Sequence, residues 1–345
     1  MAKQVPVRQC LSVEVSKKTL QVVFSNLELG QHVRVRASTK FDNSDSGLKK
    51  MRSWADKHRI EGVEFAVVME ATGVYHERCA YFWHESGAAV SVVLPSQSKA
   101  FAKSLNQRSK TDAIDARMLA QMGLERRLPV WSPPSDKLLK TKRLCRERVA
   151  LQEQKTIAKN QTHARDTAHQ PEKNAQKRAK DLIRFLEKQI RQIEEEIQQT
   201  VDSDPELKRK IGQICRVKGL GLITVATVVA ETDGFALFKS KGQLVCFAGY
   251  DVVQRESGDS IHGATRISRK GNSHIRRALH FPALVVVKHE KKFADLFQRV
   301  FEKSFIKMKA YVAVQRKLLV LIYTLYKSDQ PYDPDFETPQ IQEKK

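Results

Sequence analysis

Short apolar runs alternate with amphipathic segments through the first third of the chain, and this alternation restricts the fold more than any other feature. Residues 10–24, CLSVEVSKKTLQVVF, read as two apolar runs around a Ser-Lys-Lys turn, which predicts a β-hairpin. A polar stretch with Gly and Ser follows, then a helical pattern from Gly47 to His58. Phe65-Ala-Val-Val-Met69 predicts a buried strand ending on Glu70, with a helix after it through Trp83. Ala89 to Leu94 predicts another strand, stopped by Pro95. Ser96–Leu105 and Asp112–Met122 then read as helices on either side of a basic loop. Strands alternating with helices at this spacing point to layered α/β architecture. Pro129, Pro133 and Pro134 close this unit.

From residue 136 to 200 the character changes: no glycine, few aromatics, and Lys and Arg outnumbering Asp and Glu. Leu182, Phe185, Leu186, Ile190, Ile193 and Ile197 recur at three- and four-residue steps, a helical stripe that must bury its apolar face somewhere. Pro171 divides the stretch into two long helices, which read as either a solvated spacer or, with the stripe to bury, a coiled-coil arm pairing subunits. From Leu207 a compact unit resumes, with helices through Glu231, from Phe238 to Gly249, from Arg276 to Lys288 and from Lys309 to Tyr326. The tail from Ser328, rich in proline, reads as unordered. The expected boundaries are therefore 1–130, 136–200, 207–327 and a tail at 328–345.

Composition excludes several classes. Hydrophobic residues make up 41% and charged ones 29%, enough for a core and too polar for a membrane protein. No apolar run approaches the ~20 residues of a span, and the first ten residues lack the apolar stretch of a secretion signal. Five scattered cysteines without a CxxC pair argue against a disulfide scaffold or a cysteine zinc site, so a soluble protein of a reducing, cytoplasmic compartment is expected. With 61 Lys+Arg against 39 Asp+Glu, the net charge of +22 favours a polyanionic partner such as nucleic acid.

Three groups of residues can carry chemistry. Glu14, Glu70, Asp112 and Asp115 are acids on or next to strand and helix ends; Asp112 and Asp115 share one helix face. Carboxylates brought together would repel unless a hard divalent cation such as Mg²⁺ neutralised them. Taken singly each acid reads first as a surface charge, and Asp112 as part of a Thr111-Asp112 helix N-cap. Between Glu85 and Asp112 no acid occurs, while Lys99, Lys103, Arg108 and Lys110 offer a basic approach for a phosphate backbone. Lys218-Gly219-Leu220-Gly221 is a Gly-x-Gly turn between apolar helices, either a helix-hairpin-helix contact to phosphate or a plain turn. Arg255-Glu256-Ser257-Gly258 opens a flexible polar segment. It leads into an acid-free run holding Arg266, Arg269, Lys270, Arg276 and Arg277, and from chemistry alone this is a basic nucleic-acid face.

Segments spread over residues 10–327 resemble one family in its order. They are Ser12-Val-Glu-Val-Ser-Lys17, Met69-Glu-Ala-Thr-Gly73, the Lys-Thr-Asp-x-x-Asp-Ala core of 106–117, Val217-Lys-Gly-Leu-Gly221, Phe247-Ala-Gly249, Glu256-Ser-Gly258 and Ile267-Ser-Arg-Lys-Gly-Asn272. The chain resembles the transposases of insertion-sequence family 110, DEDD recombinases that include Piv-type invertases and bridge-RNA-guided recombinases. The resemblance implies a RuvC/RNase H-like α/β domain, a coiled-coil arm and a mostly helical transposase domain with a helix-hairpin-helix. It implies Mg²⁺ held by Glu14, Glu70, Asp112 and Asp115, and Ser257 as the nucleophile forming a phosphoserine DNA intermediate. It further implies donor and target DNA as substrates, a noncoding guide (bridge) RNA, and homodimers assembling to tetramers, nucleoid-associated when acting. The family usually has Gly-Ile-Asp where this chain has Ser12-Val13-Glu14, and the extra methylene moves that carboxylate by ~1.5 Å. Competing readings are a metal-only junction nuclease and a non-catalytic nucleic-acid-binding protein.

Overall fold

The computed structural model describes residues 5–107, 109, 111–169, 172–236, 238–253, 256–257, 261–262 and 266–333, with 256–257 and 261–262 by backbone alone. They form two units, Met1–Pro133 and Pro134–Lys345.

The first unit is built on β1 (Arg8–Val15), β2 (Thr19–Leu27), β3 (Val33–Asp42), α1 (Asp45–His58), β4 (Glu64–Glu70), α2 (Glu77–Glu85), β5 (Ala89–Val93), α3 (Pro95–Ser104) and α4 (Asp112–Glu125). Its five-stranded sheet has the order β3-β2-β1-β4-β5. The expected hairpin is β1–β2, antiparallel, with the Ser16 hydroxyl closing the turn on Thr19. β4 and β5 run parallel to β1, each reached through a helix.

One strand is absent from the expectation. The stretch read as a polar connection contains β3, paired antiparallel to β2 across a bulge at Phe24/Ser25. Its alternation, Val33, Val35, Ala37, Thr39 and Phe41 against Arg34, Arg36, Ser38, Lys40 and Asp42, is that of an edge strand. Arg34, Arg36 and Lys40 on its outer face give the stretch a polar composition while blunting the free edge.

The sheet is covered on both faces. Leu11, Val13, Val67 and Met69 pack with Leu48 and Met51 of α1 and Trp83 of α2. On the opposite face Cys10 and Val68 pack with Phe101 of α3 and Leu119 and Met122 of α4. α4 is buried nearly all round and carries small residues, Ala116, Ala120 and Gly123, where it meets the strands. A Cβ at Gly123 would stand 2.6 Å from Val68 Cγ2 and 2.9 Å from Cys10 Sγ, so only glycine lets the helix approach this closely.

The second unit begins with α5 (Asp136–Asp166) and α6 (Lys173–Asp202). It continues through α7 (Pro205–Ile214), α8 (Leu222–Glu231), α9 (Lys241–Phe247), β6 (Val252–Val253), β7 (Glu256–Ser257), β8 (Ile261–His262) and β9 (Arg266–Ile267). α10 (Ser273–Ala278), α11 (His280–His289), α12 (Lys291–Ser304) and α13 (Lys307–Ser328) complete it. α10 and α11 split the single helix expected from Arg276 to Lys288, and α12 was not anticipated.

α5 and α6 form an antiparallel helical hairpin, with Arg148 bonded to Glu194 at 2.6 Å and Lys155 and Lys159 near Glu187. The apolar stripe expected to pair subunits is mostly covered within the chain: Leu186, Ile190, Ile193 and Ile197 are buried. Only Leu182 and Phe185, at the outer part, stay open at 50% and 58% exposure. The base of the hairpin shares one core with the following helices, Ile193, Ile197 and Leu144 joining Ile211, Val225, Val228, Leu318 and Ile322.

Candidate functional site

The four acids gather by position at one edge of the first unit. Ser12 of β1 donates its hydroxyl to the Ala116 carbonyl of α4 at 2.6 Å, and Gly123 sits against Cys10 and Val68. α4 therefore runs antiparallel to β1 and β4, its N-terminus over their C-terminal ends. Side chains alternate along a strand, so Glu14, two beyond Ser12, and Glu70, two beyond Val68, belong to the α4 face. The parallel register ends at Val13 opposite Met69, which sets Glu14 and Glu70 at the next step of adjacent strands. Asp112 and Asp115 occupy the first turn of α4, capped by the Thr111 hydroxyl accepting from Ile114 N at 3.3 Å. The helix dipole favours their charge there. Carboxyl ends of adjacent strands at a sheet edge are where open α/β sheets place ligands.

The side chains are not drawn into one cluster. Among the described residues no group of three or more His, Cys, Asp or Glu side chains is close enough to hold a metal ion. Glu70 instead accepts a short hydrogen bond from the buried Ser98 hydroxyl of α3. The donor set still suits a hard divalent cation, being carboxylate oxygens alone, three of the four partly covered and Asp112 exposed. Lys99 and Lys103 lie exposed on α3; Arg108 and Lys110 lie outside the described residues.

Ser257 belongs to the second unit. Within the segment expected as a flexible loop, the described residues form a ribbon of two short strand pairs, one inside the other in sequence: β6 pairs with β9, Val252 opposite Ile267, and β7 pairs with β8, Ser257 opposite Ile261. Ser257 thus stands near the tip; residues 258–260, including the rival Ser260, lie outside the described residues. The ribbon's root is clasped. Ser268 N donates to the Asp251 carbonyl at 2.8 Å and its hydroxyl to the Asp251 carboxylate. Asn272 N donates to Phe247 O at 2.7 Å. A Cβ on Gly271 would fall 2.4 Å from Phe247 O and 2.6 Å from Gly249 N, so two backbone segments touch there.

Beneath the clasp lies a polar cluster that sequence reading missed. Glu231, the last residue of α8 and 3% exposed, accepts from Arg146 Nε and Nη2 at 2.7 and 2.9 Å and from Asn272 Nδ2 at 2.7 Å. Asn272 Oδ1 in turn caps α10 by accepting from His274 N and Ile275 N. Burial by itself would raise the Glu231 pKa; the hydrogen bonds from Arg146 and Asn272 outweigh it and hold the carboxyl below its ordinary value. His274 is pushed down, first by burial. An acid closing an apolar helix was the one available signal; its partner Arg146 is 85 residues away in sequence.

The expected basic residues divide. Arg266, Arg269 and Lys270 are exposed. Arg276 donates to the Ala248 carbonyl at 2.8 Å and Arg277 pairs with Glu153, so both are engaged within the unit. Lys218 and Gly221 are exposed, and Gly219, at φ +100°, turns the chain against Val285 and Val286 of α11. The Gly-x-Gly turn joins α7 to α8, and its close approach is to its own unit.

Two sequence families match the regions that carry these features. Residues 13–165 match the DEDD_Tnp_IS110 transposase family. Residues 212–298 match the Transposase IS116/IS110/IS902 family. The chain carries the transposase domains of the IS110/IS116/IS902 family. It is similar to the pilin gene-inverting protein of Moraxella bovis, 27% identical over 324 residues, 94% of this chain and 97% of that protein. The pilin gene-inverting protein of Moraxella lacunata matches equally, 27% over 324 residues. Among solved structures, Thermus thermophilus RuvC is similar at 12% identity, covering 36% of this chain and 99% of that chain, with a TM-score of 0.29. As a transposase or recombinase the protein acts on DNA. Among the described residues no helix is long and apolar enough to cross a membrane.

Proposed function

We propose that this transposase exchanges DNA strands through a covalent phosphoserine intermediate formed at Ser257, with Glu14, Glu70, Asp112 and Asp115 as the acids that serve the reaction. The observation that carries the reading is the common position of the four acids at the carboxyl edge of β1 and β4 under the N-terminus of α4. Ser257 Oγ would bond to phosphorus as the bond to the leaving strand's oxygen breaks; the serine proton passes to solvent and the leaving oxygen ends as a hydroxyl. The hydroxyl of the exchanged strand then attacks the phosphoserine and returns the serine, so phosphodiester bonds are conserved in number. A serine hydroxyl is a weak nucleophile at neutral pH and depends on a nearby base or cationic field. The ribbon's exposed Arg266, Arg269 and Lys270 supply positive charge. Mg²⁺, held by the four acids, would supply neutralisation of phosphate charge. Guidance by a noncoding RNA that pairs with donor and target, and assembly of dimers into tetramers, complete the reading. The exposed Leu182 and Phe185 support a contact between subunits.

Ser257→Ala tests it. The variant should keep DNA binding and oligomeric mass yet give no protein–DNA adduct on denaturing gels and no recombinant product. Ser260→Ala is the control: adduct that persists in Ser257→Ala and vanishes in Ser260→Ala would assign the nucleophile wrongly. Cut ends that are free in both would favour hydrolysis by the acids alone. Asp115→Asn should abolish cleavage while binding survives; undiminished cleavage would remove the acids from the mechanism.

A further inference from the structure

A groove of about 960 Å³ opens at the foot of the ribbon, joining Arg266 and Arg269 of the basic run to residues of α9, α12 and α13 that no motif read from the sequence includes. Its floor is aliphatic: Val245, Val252, Ile267, Leu296, Val312 and Val320. Six cations line it, Arg266 and Arg269 at the ribbon, Lys241 at the start of α9, and Lys309, Arg316 and Lys317 on α13. All six are exposed. None makes an ion pair with a described carboxylate, whereas Arg209 and Lys210 of the same unit pair with Asp329 and Glu206. No described acid lines the groove. Lys309 and Arg316 are two helical turns apart, about 10 Å along α13.

An apolar floor between cations that pair with no acid among the described residues has two requirements of an occupant. It must bring anionic groups to the rim and an uncharged, flat face to the floor. A double helix fails the second, because its bases are stacked and paired inward and phosphate over aliphatic side chains would be desolvated without a partner. An unpaired strand meets both, its phosphates tracking the cations while the uncharged faces of its bases cover the aliphatic floor. Val252 and Ile267 form both part of the floor and the base of the ribbon that ends at Ser257. Val252 and Ser257 are five residues apart in sequence, so the chain cannot carry them more than about 18 Å from one another. A strand lying in the groove therefore reaches the serine within a few nucleotides.

We infer that this groove binds a single-stranded DNA segment next to the strand that Ser257 attacks, with Lys241, Lys309, Arg316 and Lys317 as phosphate contacts beyond those expected from the sequence. The inference rests on the reading of the protein as a serine-dependent DNA recombinase.

The test uses the full chain and fluorescence anisotropy with labelled dT oligonucleotides, a duplex of equal length and a uridine RNA oligonucleotide. Arg316→Glu combined with Lys317→Glu alters two exposed helix positions, so folding survives, as far-ultraviolet circular dichroism will verify. Single-stranded DNA affinity should fall about tenfold or more, and duplex affinity by far less. In Arg316→Ala with Lys317→Ala the salt slope for single-stranded DNA should flatten by about 1.4. Val312→Glu, which places charge on the floor, should weaken single-stranded binding alike. Equal losses for duplex and single strand, no loss, or tighter binding of RNA than DNA would overturn the assignment. A change of mass in light scattering on altering Arg316 and Lys317 would overturn it too, marking the groove as a contact between copies. Wild-type protein that binds no DNA would defeat the recombinase reading itself, whereas binding that ignores these substitutions defeats the groove alone.

Discussion

Glu231→Gln should loosen the second unit and leave the first intact. The substitution preserves shape and removes the charge that receives two hydrogen bonds from Arg146 and one from Asn272. Leaving a buried charge without its partner costs about 3–5 kcal/mol. Arg146 keeps 46% of its side chain exposed, so water recovers part of that and about 2–3 kcal/mol is expected. For a unit of this size that corresponds to a fall in Tm of about 5–10 °C. The chain provides its own control, because its 3 tryptophans, Trp54, Trp83 and Trp131, all lie in the first unit, while most helix lies in the second. The circular dichroism transition should move and the tryptophan fluorescence transition should stay. Acid gives a second readout. Glu231 is held below its ordinary value, so its contribution is complete above about pH 4.5 and is lost as pH falls through the lowered value. Glu231→Gln should lack that acid loss. His274, whose pKa is also lowered, first by burial, contributes stability above pH 6.5 that fades below it, and this window should deepen in Glu231→Gln because the Glu231 charge opposes the lowering. Equal Tm values by circular dichroism, or an unchanged acid limb, would refute the argument.

Gly123→Ala should destabilise the first unit by up to about 2 kcal/mol, overpacking against Val68 and Cys10 exceeding the gain in helix propensity. Tryptophan fluorescence reports it, DNA cleavage should fall further because α4 carries Asp112 and Asp115, and a raised Tm would sink it. Leu182→Asp with Phe185→Asp, both exposed, should reduce the assembled mass in light scattering, while Leu186→Asp should unfold the hairpin; unchanged mass in the first would mean the outer stripe pairs no subunits. Iodoacetamide followed by mass spectrometry should label exposed Cys246 first, since burial pushes the Cys10 and Cys79 thiols up to about 12; early labelling of either would show the first unit opening locally.

What could be read from the sequence follows how far apart the partners are in the chain. The β1–β2 hairpin, β4, β5 and the start of α4 are each declared within a dozen residues, by an apolar run and a turn or by Thr111 before Asp112. β3 escaped because its signal depends on a partner: Arg34, Arg36 and Lys40 make the stretch read as polar, and only pairing with β2 defines the intervening residues as inner. The stripe on α6 was legible but its destination was not. A one-sided apolar face says that something covers it, and α5 within the chain satisfies that demand as well as a second subunit would.

The candidate site divides along the same line. That Glu14 and Glu70 share a face follows from strand alternation only once Ser12 is known to reach Ala116 and Gly123 to rest on Val68, two contacts more than 50 residues apart in sequence. Glu14 in place of the shorter acid is then a physical question about one methylene at that edge, with the sheet around it ordinary. Ser12 and Val13 beside it are fully buried and paired in register with β2 and β4, so the strand holds Glu14 in place whatever its length. The backbone that would present an aspartate is intact, so Glu14→Asp should maintain or raise cleavage, and a fall in cleavage would show that the reach of the carboxylate is not what the extra methylene changes.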